Sequence, residues 1–554
     1  MLQKNTFFFK FLHLFSGISI LFYLGYNFTH HLEQYMDIDL GDELSYISAG
    51  KNTVFFASRI LYPMWYKLLG VFTANNIDLF YLNQKTLIIL LPICLFIFLS
   101  ELFGNFIISL FLSCIFLYSN TNVATEFIYN NVLVAVVNNK LNNFTLCIIL
   151  FLGYGIQLLY KKGWNAIPLF TISFFILSYC RNEYGLLFIL FTLMYIYKFF
   201  IEYKYINREK YLFFAFTTST LTSIKLFGLS VFASSYSNLH YLMSYSRNYL
   251  ERNHMPMNAE IDIITPCLKI FGNQKTIFGF FNSNPFQFTD NILYNTYNMF
   301  IINLFRIADI LTPQVFINYR DKDVLNYIIA MLFIISIIIS IKKIVYGKIK
   351  ITHTIKVIII FNILLLITTI ISNLLYYFDP RYYIFFVPVI MISILLLLKE
   401  IKAAKYILSF LLLILVFEKR TAKEYMLSNN YPVMLFIKNS SKIIQDYMST
   451  NKKNKIVLLA NNGKYDVLIP GVMTSEYNLF NMQNDSLYAD KYTKLDTFDI
   501  FIVNEIKPRQ NYLWFNRVTQ FLETNKDSFN CITYKYPTFT GRIYLKKDTF
   551  ISGK

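Results

Sequence analysis

Cysteine is scarce in this chain, and the few cysteines form no pattern. The 554 residues include six cysteines, most of them inside apolar runs and none at the spacing of metal ligands. They indicate neither a disulfide framework nor a zinc site. The sequence also lacks internal repeats and low-complexity linkers, and its first apolar run, residues 7–28, lacks the small-residue cleavage site of a secretory signal. We therefore expect that run to be a retained helix.

Charged residues are scarce as well, at 15%, whereas apolar residues make up 55% and the mean hydropathy is positive. Apolar runs of membrane-spanning length recur through the first three quarters of the chain, which predicts an α-helical polytopic membrane protein. A formal net charge of +18 would favour nucleic acid as the partner of a soluble protein. Here much of the charge falls in short loops between apolar segments, as cytoplasmic lysines do, so no nucleic-acid partner is predicted.

The apolar runs predict about eleven transmembrane helices. They lie near residues 7–28, 85–100, 104–119, 143–160, 166–180, 184–200, 211–233, 325–341, 354–377, 382–398 and 404–417. Four basic clusters, around Lys161, Lys204, Lys348 and Lys402, then fall on one side, which the positive-inside rule assigns to the cytoplasm. Counting 126–138 or 297–312 as spans would invert the loops that follow, so we interpret these two segments as interfacial or re-entrant.

This topology divides the chain into two predicted domains. Residues 1–420 form a transmembrane domain with external loops at 29–84 and 234–324, and residues 421–554 form an external α/β domain. The tail has strand-like runs at 455–460, 499–503, 531–536 and 542–546, with a helical pattern over 512–524. The predicted location is a membrane, the bacterial inner or cytoplasmic membrane, with the C-terminal domain outside.

Ionisable residues gather at the predicted outer face. The first external loop places four carboxylates within seven residues, Asp37, Asp39, Asp42 and Glu43, ahead of Tyr46 and Arg59. A transfer to a hydroxyl or amine needs a carboxylate to accept a proton, and crowding raises the proton affinity of at least one of them. Asp42 and Glu43 are the candidate bases. The alternative is a helix whose first turn is acidic because the helix dipole favours it.

Arg181 and Glu183 interrupt an otherwise unbroken apolar run from 166 to 200. Ionisable residues with so few polar neighbours in a membrane protein are typical of a functional site. The alternative is a mutual ion pair that only closes a turn at the interface.

A second arginine follows the turn at Asp379-Pro380, ahead of Tyr382. The guanidinium of Arg381 suits a phosphate because its donors bind two oxygens at once. Lys225, about two turns below the outer surface, is a further candidate phosphate ligand. The alternative is that the side chains of Arg381 and Lys225 only extend towards the polar interface of the membrane and bind no phosphate.

Taken in order, these motifs resemble those of the GT-C glycosyltransferases, which include protein mannosyltransferases and aminoarabinose transferases. The resemblance covers most of residues 1–420. The acidic first-loop motif of that family is similar to Asp42-Glu43-Leu44-Ser45-Tyr46, and its proline motif to Leu61-Tyr62-Pro63-Met64-Trp65, with one proline instead of two. The middle motif of the family resembles Arg181-Asn182-Glu183-Tyr184-Gly185-Leu186, although this chain has an added tyrosine before the glycine. The late motif of the family resembles Arg381-Tyr382 through Pro388.

The resemblance implies transfer of a sugar from a polyprenyl-phosphate donor to a glycan, lipid or protein acceptor outside the membrane, with inversion. It implies Asp42 or Glu43 as the base. Arg381, Arg59 and Lys225 would bind the donor phosphate, and Tyr46, Arg181, Glu183, Asp379 and Tyr382 would support the site. Some members use a divalent metal and others none; Asp37 and Asp39 are the candidate ligands for Mg²⁺ or Mn²⁺.

Two other functions remain open at this point. A polymerase or ligase of lipid-linked glycans would also work at the outer face, although the acidic loop and the soluble tail fit it less well. A lipid or sugar transporter usually has two matching halves or broken helices, and the sequence has neither.

Overall fold

The computed structural model describes residues 2–32, 42–52, 60–73, 75–123, 140–227, 235–253, 265–274, 276–311, 342, 346, 352–375, 380–399, 401, 403–417, 442–444, 446–447, 456–459, 500–505, 513–535 and 540–547. Helices dominate the described residues up to Phe417. The first seven are α1 (Leu2–Thr29), α2 (Asp42–Asn52), α3 (Leu61–Leu69), α4 (Asn76–Phe103), α5 (Phe106–Leu117), α6 (Asn120–Val123) and α7 (Leu141–Lys161).

The helices continue along the chain as α8 (Ala166–Ser178), α9 (Gly185–Lys198), α10 (Asn207–Phe227), α11 (Ser235–Arg252), α12 (Thr265–Phe271), α13 (Ile277–Ser283), α14 (Pro285–Leu311), α15 (His353–Leu375), α16 (Val387–Lys399) and α17 (Ala404–Phe417). A 3₁₀ turn, Asn182–Tyr184, joins α8 to α9, and a longer 3₁₀ segment, Pro380–Phe386, leads into α16. The predicted tight turn at Arg181 is therefore present.

The chain is a helical membrane protein. Within the described residues, five helical segments are long and apolar enough to cross a bilayer: Lys10–Thr29, Asn76–Phe103, Leu141–Lys161, Asn182–Tyr203 and His353–Leu375. Shorter apolar helices occupy four more of the predicted runs, at Phe106–Leu117, Ala166–Ser178, Ile384–Leu398 and Ala404–Ile414. Residues 211–227 of the run 211–233 lie in α10, which is not among the five. The rest of that run and the run 325–341 lie outside the described residues. The count of eleven stays a prediction.

Local sequence explains where α4 begins and ends and where α5 begins. The Asn75 side chain caps α4 by accepting a hydrogen bond from the Ile77 amide at 2.8 Å. At the other end Gly104 takes the left-handed conformation, with φ of 64°, which glycine adopts without a steric penalty. Asn105 then caps α5. Gly104 and Asn105 thus reverse the chain between the apolar helices α4 and α5.

Ion pairs fix the relative directions of α1, α4 and α7. Glu101, near the end of α4, accepts from Lys10 near the start of α1 at 2.5 Å and from Lys161 at the end of α7 at 2.7 Å. Hence α4 and α7 run in the same direction and α1 runs the opposite way. This end of the bundle carries Lys161, a member of one of the basic loops, and the acidic first loop leads into the other end.

The described part of segment 234–324, which was predicted as an external loop, contains four helices, α11 to α14. They have an aromatic core of their own, which includes Tyr241, Tyr245, Phe271, Phe280 and Phe288. Buried amides also join α11 to α14, because Asn248 donates to Asn291 and Asn295 at 2.8 and 2.9 Å. The segment 297–312, predicted to be interfacial or re-entrant, lies in the continuous helix α14 up to Leu311, and its Met299 packs against α15.

A small sheet lies near the C-terminus. Its strands are β1 (Ile456–Leu459), β2 (Ile500–Glu505), β3 (Phe529–Lys535) and β4 (Thr540–Lys546), in the order β1-β2-β4-β3. β1 and β2 are parallel, whereas β4 runs antiparallel to β2 and β3. Helix α18 (Leu513–Thr524) packs Phe521 against Phe501 of the sheet. The predicted strands and helix of the tail are present, while the boundary at 421 and the side of the membrane stay predictions.

Candidate functional site

Glu43 is a fully buried carboxylate in the first turn of α2. Its Oε1 accepts hydrogen bonds from the hydroxyls of Tyr62 and Tyr66, one turn apart on α3, and from Asn83 Nδ2 at 3.0 Å. A buried charge costs free energy unless it is hydrogen-bonded, and bonds to an ionised acceptor are the strong ones. The three donors therefore stabilise the carboxylate and fix the start of α2 against α3 and α4.

Asn83 organises this cluster from α4. Its Nδ2 lies 2.8 Å from the Tyr62 hydroxyl and 2.7 Å from that of Tyr66, so both phenols share one amide. Its Oδ1 accepts from the indole Nε1 of Trp65 at 2.8 Å, which determines which way the amide faces. Sequence reasoning missed Asn83, because a single asparagine at the start of an apolar helix matches no motif.

The two phenols remain donors over the ordinary pH range. Burial raises the pKa of both Tyr62 and Tyr66 well above the usual value, and the charge of Glu43 raises it further.

Glycine at position 50 allows the close contact between α2 and α3, because an added Cβ would lie 2.7 Å from the Pro63 carbonyl oxygen. Helix α2 therefore packs closely on α3 beside the cluster.

Lys140 is a second buried charge near Glu43, and sequence reasoning missed it. It lies immediately before α7, and its Nζ donates to the carbonyls of Asn122 and Val123 at 2.7 and 3.0 Å. Burial lowers the pKa of Lys140 to about 7, and the negative charge of Glu43 opposes that shift. A lysine at the amino end of an apolar helix is disfavoured by the helix dipole and departs from the positive-inside pattern, which is the signal that could have found it.

Asparagines hold the short helix α6 between α4 and α7. Asn122 Nδ2 donates to the carbonyls of Ile88 and Leu117 at 3.0 and 3.1 Å, and its own carbonyl accepts from Asn143 at 3.1 Å. These bonds satisfy backbone groups that would otherwise be unpaired in an apolar interior. They also fix the carbonyls to which Lys140 donates.

Arg181 is buried and contacts three separate parts of the chain. Its Nε pairs with Glu183 Oε1 at 2.5 Å, and its Nη1 donates to Asn142 Oδ1 at 2.5 Å. The guanidinium carbon lies 4.2 Å from the centre of the Tyr382 ring and 5.3 Å from that of Phe385. A planar guanidinium that is buried away from water stacks favourably on aromatic rings. Arg181 thus ties the turn after α8 to the 3₁₀ segment Pro380–Phe386.

The Glu43 and Arg181 clusters meet at the start of α7. The negative charge of Glu43 acts on Lys140, immediately before α7, and Asn142, two residues later, accepts from Arg181. The Tyr62 ring also packs on Phe144 with centroids 5.3 Å apart. Three segments that are far apart in sequence therefore share one end of the bundle: the start of α2, the turn after α8 and the segment around Tyr382.

The other predicted site residues fall into three groups. Tyr46 is buried, with its ring 5.2 Å from that of Tyr62, and Lys225 is exposed near the end of α10. The backbone places Asp42 at the first position of α2 and Arg381 within the 3₁₀ segment, whereas their side chains are not described. The remaining predicted residues lie outside the described residues: Asp37, Asp39, Arg59 and Asp379.

Metal ligands and relatives add nothing to this geometry. In the part of the chain that the structure describes, no group of three or more His, Cys, Asp or Glu side chains could hold a metal ion. The two candidate ligands, Asp37 and Asp39, are outside that part. Comparison with protein-family models and with curated proteins finds no match to the chain.

Proposed function

We propose that this protein is a membrane glycosyltransferase that moves a sugar from a polyprenyl-phosphate donor to an acceptor. One observation carries the proposal: the segments with the candidate base and the candidate phosphate ligand approach each other at one end of the bundle. Tyr62 links Glu43 to Phe144 of α7, because its hydroxyl donates to Glu43 and its ring packs on Phe144. Asn142 of the same helix accepts from Arg181, which stacks on Tyr382. Group transfer from a lipid phosphate needs a base and a cation near one another.

In this proposal Asp42 is the base and Glu43 is a positioning residue. One oxygen of Glu43 accepts three hydrogen bonds within the protein, which suits a carboxylate that anchors its helix. Asp42 comes immediately before it, at the first position of α2. Anchoring Glu43 therefore fixes the backbone that carries the base, and the base takes the proton from the acceptor hydroxyl or amine.

Arg381 is the proposed ligand of the donor phosphate, and Arg181 is the residue that positions it. The guanidinium of Arg181 is already engaged by Glu183, Asn142 and the Tyr382 ring. Because Tyr382 directly follows Arg381, this stacking holds the 3₁₀ segment at the site. Arg381 then neutralises the phosphate charge that develops as the glycosidic bond breaks. Arg59 and Lys225 are further proposed phosphate ligands, and the metal on Asp37 and Asp39 stays optional.

The sequence supports the remaining parts of the proposal. The four basic clusters assign this end of the bundle to the outer face of a cytoplasmic membrane, where lipid-linked sugars are used. The C-terminal sheet would then lie outside and could meet a glycan, lipid or protein acceptor.

The test is transfer of radiolabelled sugar from a panel of polyprenyl-phosphate sugars by the purified full-length protein. Asp42→Asn removes the base and should lower the rate about 100-fold or more, because general-base catalysis supplies a factor of that order. Arg381→Ala should lower it as well, whereas the matched control Asp527→Asn, in the tail turn Lys526–Ser528, should not.

Melting temperatures of all variants separate lost chemistry from lost folding. Wild-type inactivity with every donor, or full activity of Asp42→Asn, would contradict the transferase and favour a glycan polymerase, a ligase or a transporter. Activity lost equally in Asp527→Asn would contradict the location of the site.

A further inference from the structure

A second polar site lies at the opposite end of the bundle, where Glu101 joins α1, α4 and α7. A cavity of about 690 Å³ opens there. Its charged and polar lining consists of Lys10, His13, Ser100, Glu101, Lys161, Thr352 and Thr354. Apolar side chains also line it, among them Leu14 and Phe106. None of these residues takes part in the proposed transfer.

The lining has more positive than negative charge. Glu101 is its one carboxylate, 6% exposed, and both lysines pair with it. The lysine side chains themselves are 57% and 43% exposed. Each ammonium has three N–H donors, of which Lys161 uses one on the Glu101 carboxylate and one on the Glu101 carbonyl, at 3.2 Å. Two lysines around one carboxylate leave a net positive charge before His13 is counted. The hydroxyls of Thr352 and Thr354 add hydrogen-bond donors at the start of α15.

Exposed phenylalanines lie beside one wall of the cavity. Lys10, His13 and Leu14 have the spacing of a single face of α1, and all three line the cavity. Phe8, Phe11 and Phe15 on the neighbouring face are 61%, 59% and 59% exposed, as expected for a helix of a membrane protein in contact with hydrocarbon. A ligand in this cavity would therefore have its charged part among lysines and hydroxyls and its apolar part along α1.

We propose that this cavity binds the phosphate headgroup of an anionic membrane phospholipid. A phosphate diester matches the excess positive charge, and the acyl chains match the exposed phenylalanines. The site is independent of the transferase proposal, because it lies at the other end of the bundle and uses none of the same residues.

Binding of phosphatidylglycerol to the purified full-length protein in detergent, measured by native mass spectrometry, tests the proposal. Lys161→Gln removes a cation and should weaken binding about fivefold, the upper end for a partly exposed ion pair. Glu101→Gln removes the carboxylate that competes for both lysines and should strengthen binding by a similar factor. A variant that only loses folding cannot bind more tightly, so the opposite signs are the decisive result.

Two controls define the site and the ligand. Lys198→Gln removes a lysine that pairs with Glu202 outside the cavity and should leave binding unchanged. Phosphatidylcholine with the same acyl chains should bind less tightly, and inorganic phosphate should not displace phosphatidylglycerol. The proposal is overturned if Glu101→Gln fails to strengthen binding, if Lys198→Gln weakens it as much as Lys161→Gln, or if either control ligand binds as well as phosphatidylglycerol.

Discussion

Removing one hydroxyl from the cluster around Glu43 should destabilise the whole end of the bundle. Tyr66→Phe retains the ring and its contact with Tyr62, whose centroid is 5.3 Å away, and deletes only the donor to Glu43. A hydrogen bond to a charged group contributes about 1.5–3 kcal/mol to stability. Asn83 also loses an acceptor that lies 2.7 Å from its Nδ2. We therefore expect Tyr66→Phe to lower the free energy of unfolding by an amount within that range and not below it.

The double variant Tyr62→Phe/Tyr66→Phe provides the sharper test. It removes two of the hydrogen bonds that the buried Glu43 Oε1 accepts, those from Tyr62 and Tyr66, and keeps the one from Asn83. Residues in one hydrogen-bond network usually couple by about 0.5–3 kcal/mol. We expect the double variant to lose more stability than the two single variants together, because each remaining donor matters more to a buried charge.

The assay is the unfolding of the purified full-length protein in detergent, followed by differential scanning fluorimetry. Tyr297→Phe is the matched control, since Tyr297 is 63% exposed and should change stability by no more than about 0.5 kcal/mol. If Tyr66→Phe melts at the same temperature as Tyr297→Phe, Glu43 does not depend on these phenols for its stability and the reasoning is refuted.

Two further predictions concern neighbouring residues. Because burial lowers the pKa of Lys140 from 10.5 to about 7, the unfolded chain binds its proton more tightly, so stability should rise with pH between about 7 and 9. Lys140→Met should remove that rise in melting temperature, and an unchanged pH profile would contradict the buried amine. Gly50→Val should lower the melting temperature because its Cβ would lie 2.7 Å from the Pro63 carbonyl oxygen. Gly155→Ala is the control and should leave the melting temperature unchanged, because a Cβ at Gly155 would meet no atom within 4 Å. Equal effects of the two changes would argue against close packing of α2 on α3.

Much of the secondary structure could be predicted because it depends on local patterns. The apolar runs at 143–160 and 354–377 correspond to α7 and α15 within a few residues. The runs 531–536 and 542–546 of the tail were predicted as strands, and they correspond to β3 and β4, which pair antiparallel. Burial of apolar surface depends on composition and period, both of which can be read from the sequence.

The helices α11 to α14 could not be predicted from apolar runs. Ser235–Arg252 is rich in polar residues, and its helical structure is supported by contacts with distant residues such as Asn291 and Asn295. Propensity is a weak guide where tertiary contacts decide. A segment read as a loop can therefore be helical when its polar side chains find partners on another helix.

At the candidate site, the sequence identified Glu43 and Arg181 but not what surrounds them. It treated Asp42 and Glu43 as equivalent bases, whereas the structure gives Glu43 three hydrogen-bond donors from two other helices. Lys140 and Asn83 had no motif to mark them. The roles of Asp42 and Arg381 in transfer stay predictions.

The sequence by itself determined that this is a helical membrane protein, which segments form most of its apolar helices and which ionisable residues stand out. Only the tertiary structure decided which of those residues are paired, and with what: Glu43 with two tyrosines, Arg181 with Asn142 and Tyr382, and Glu101 with two lysines. The physical reason is that hydrophobic burial sums over many residues and leaves a regular pattern in the chain. A buried charge is instead stabilised by a few donors at hydrogen-bond distance, and sequence separation does not reveal which residues these are.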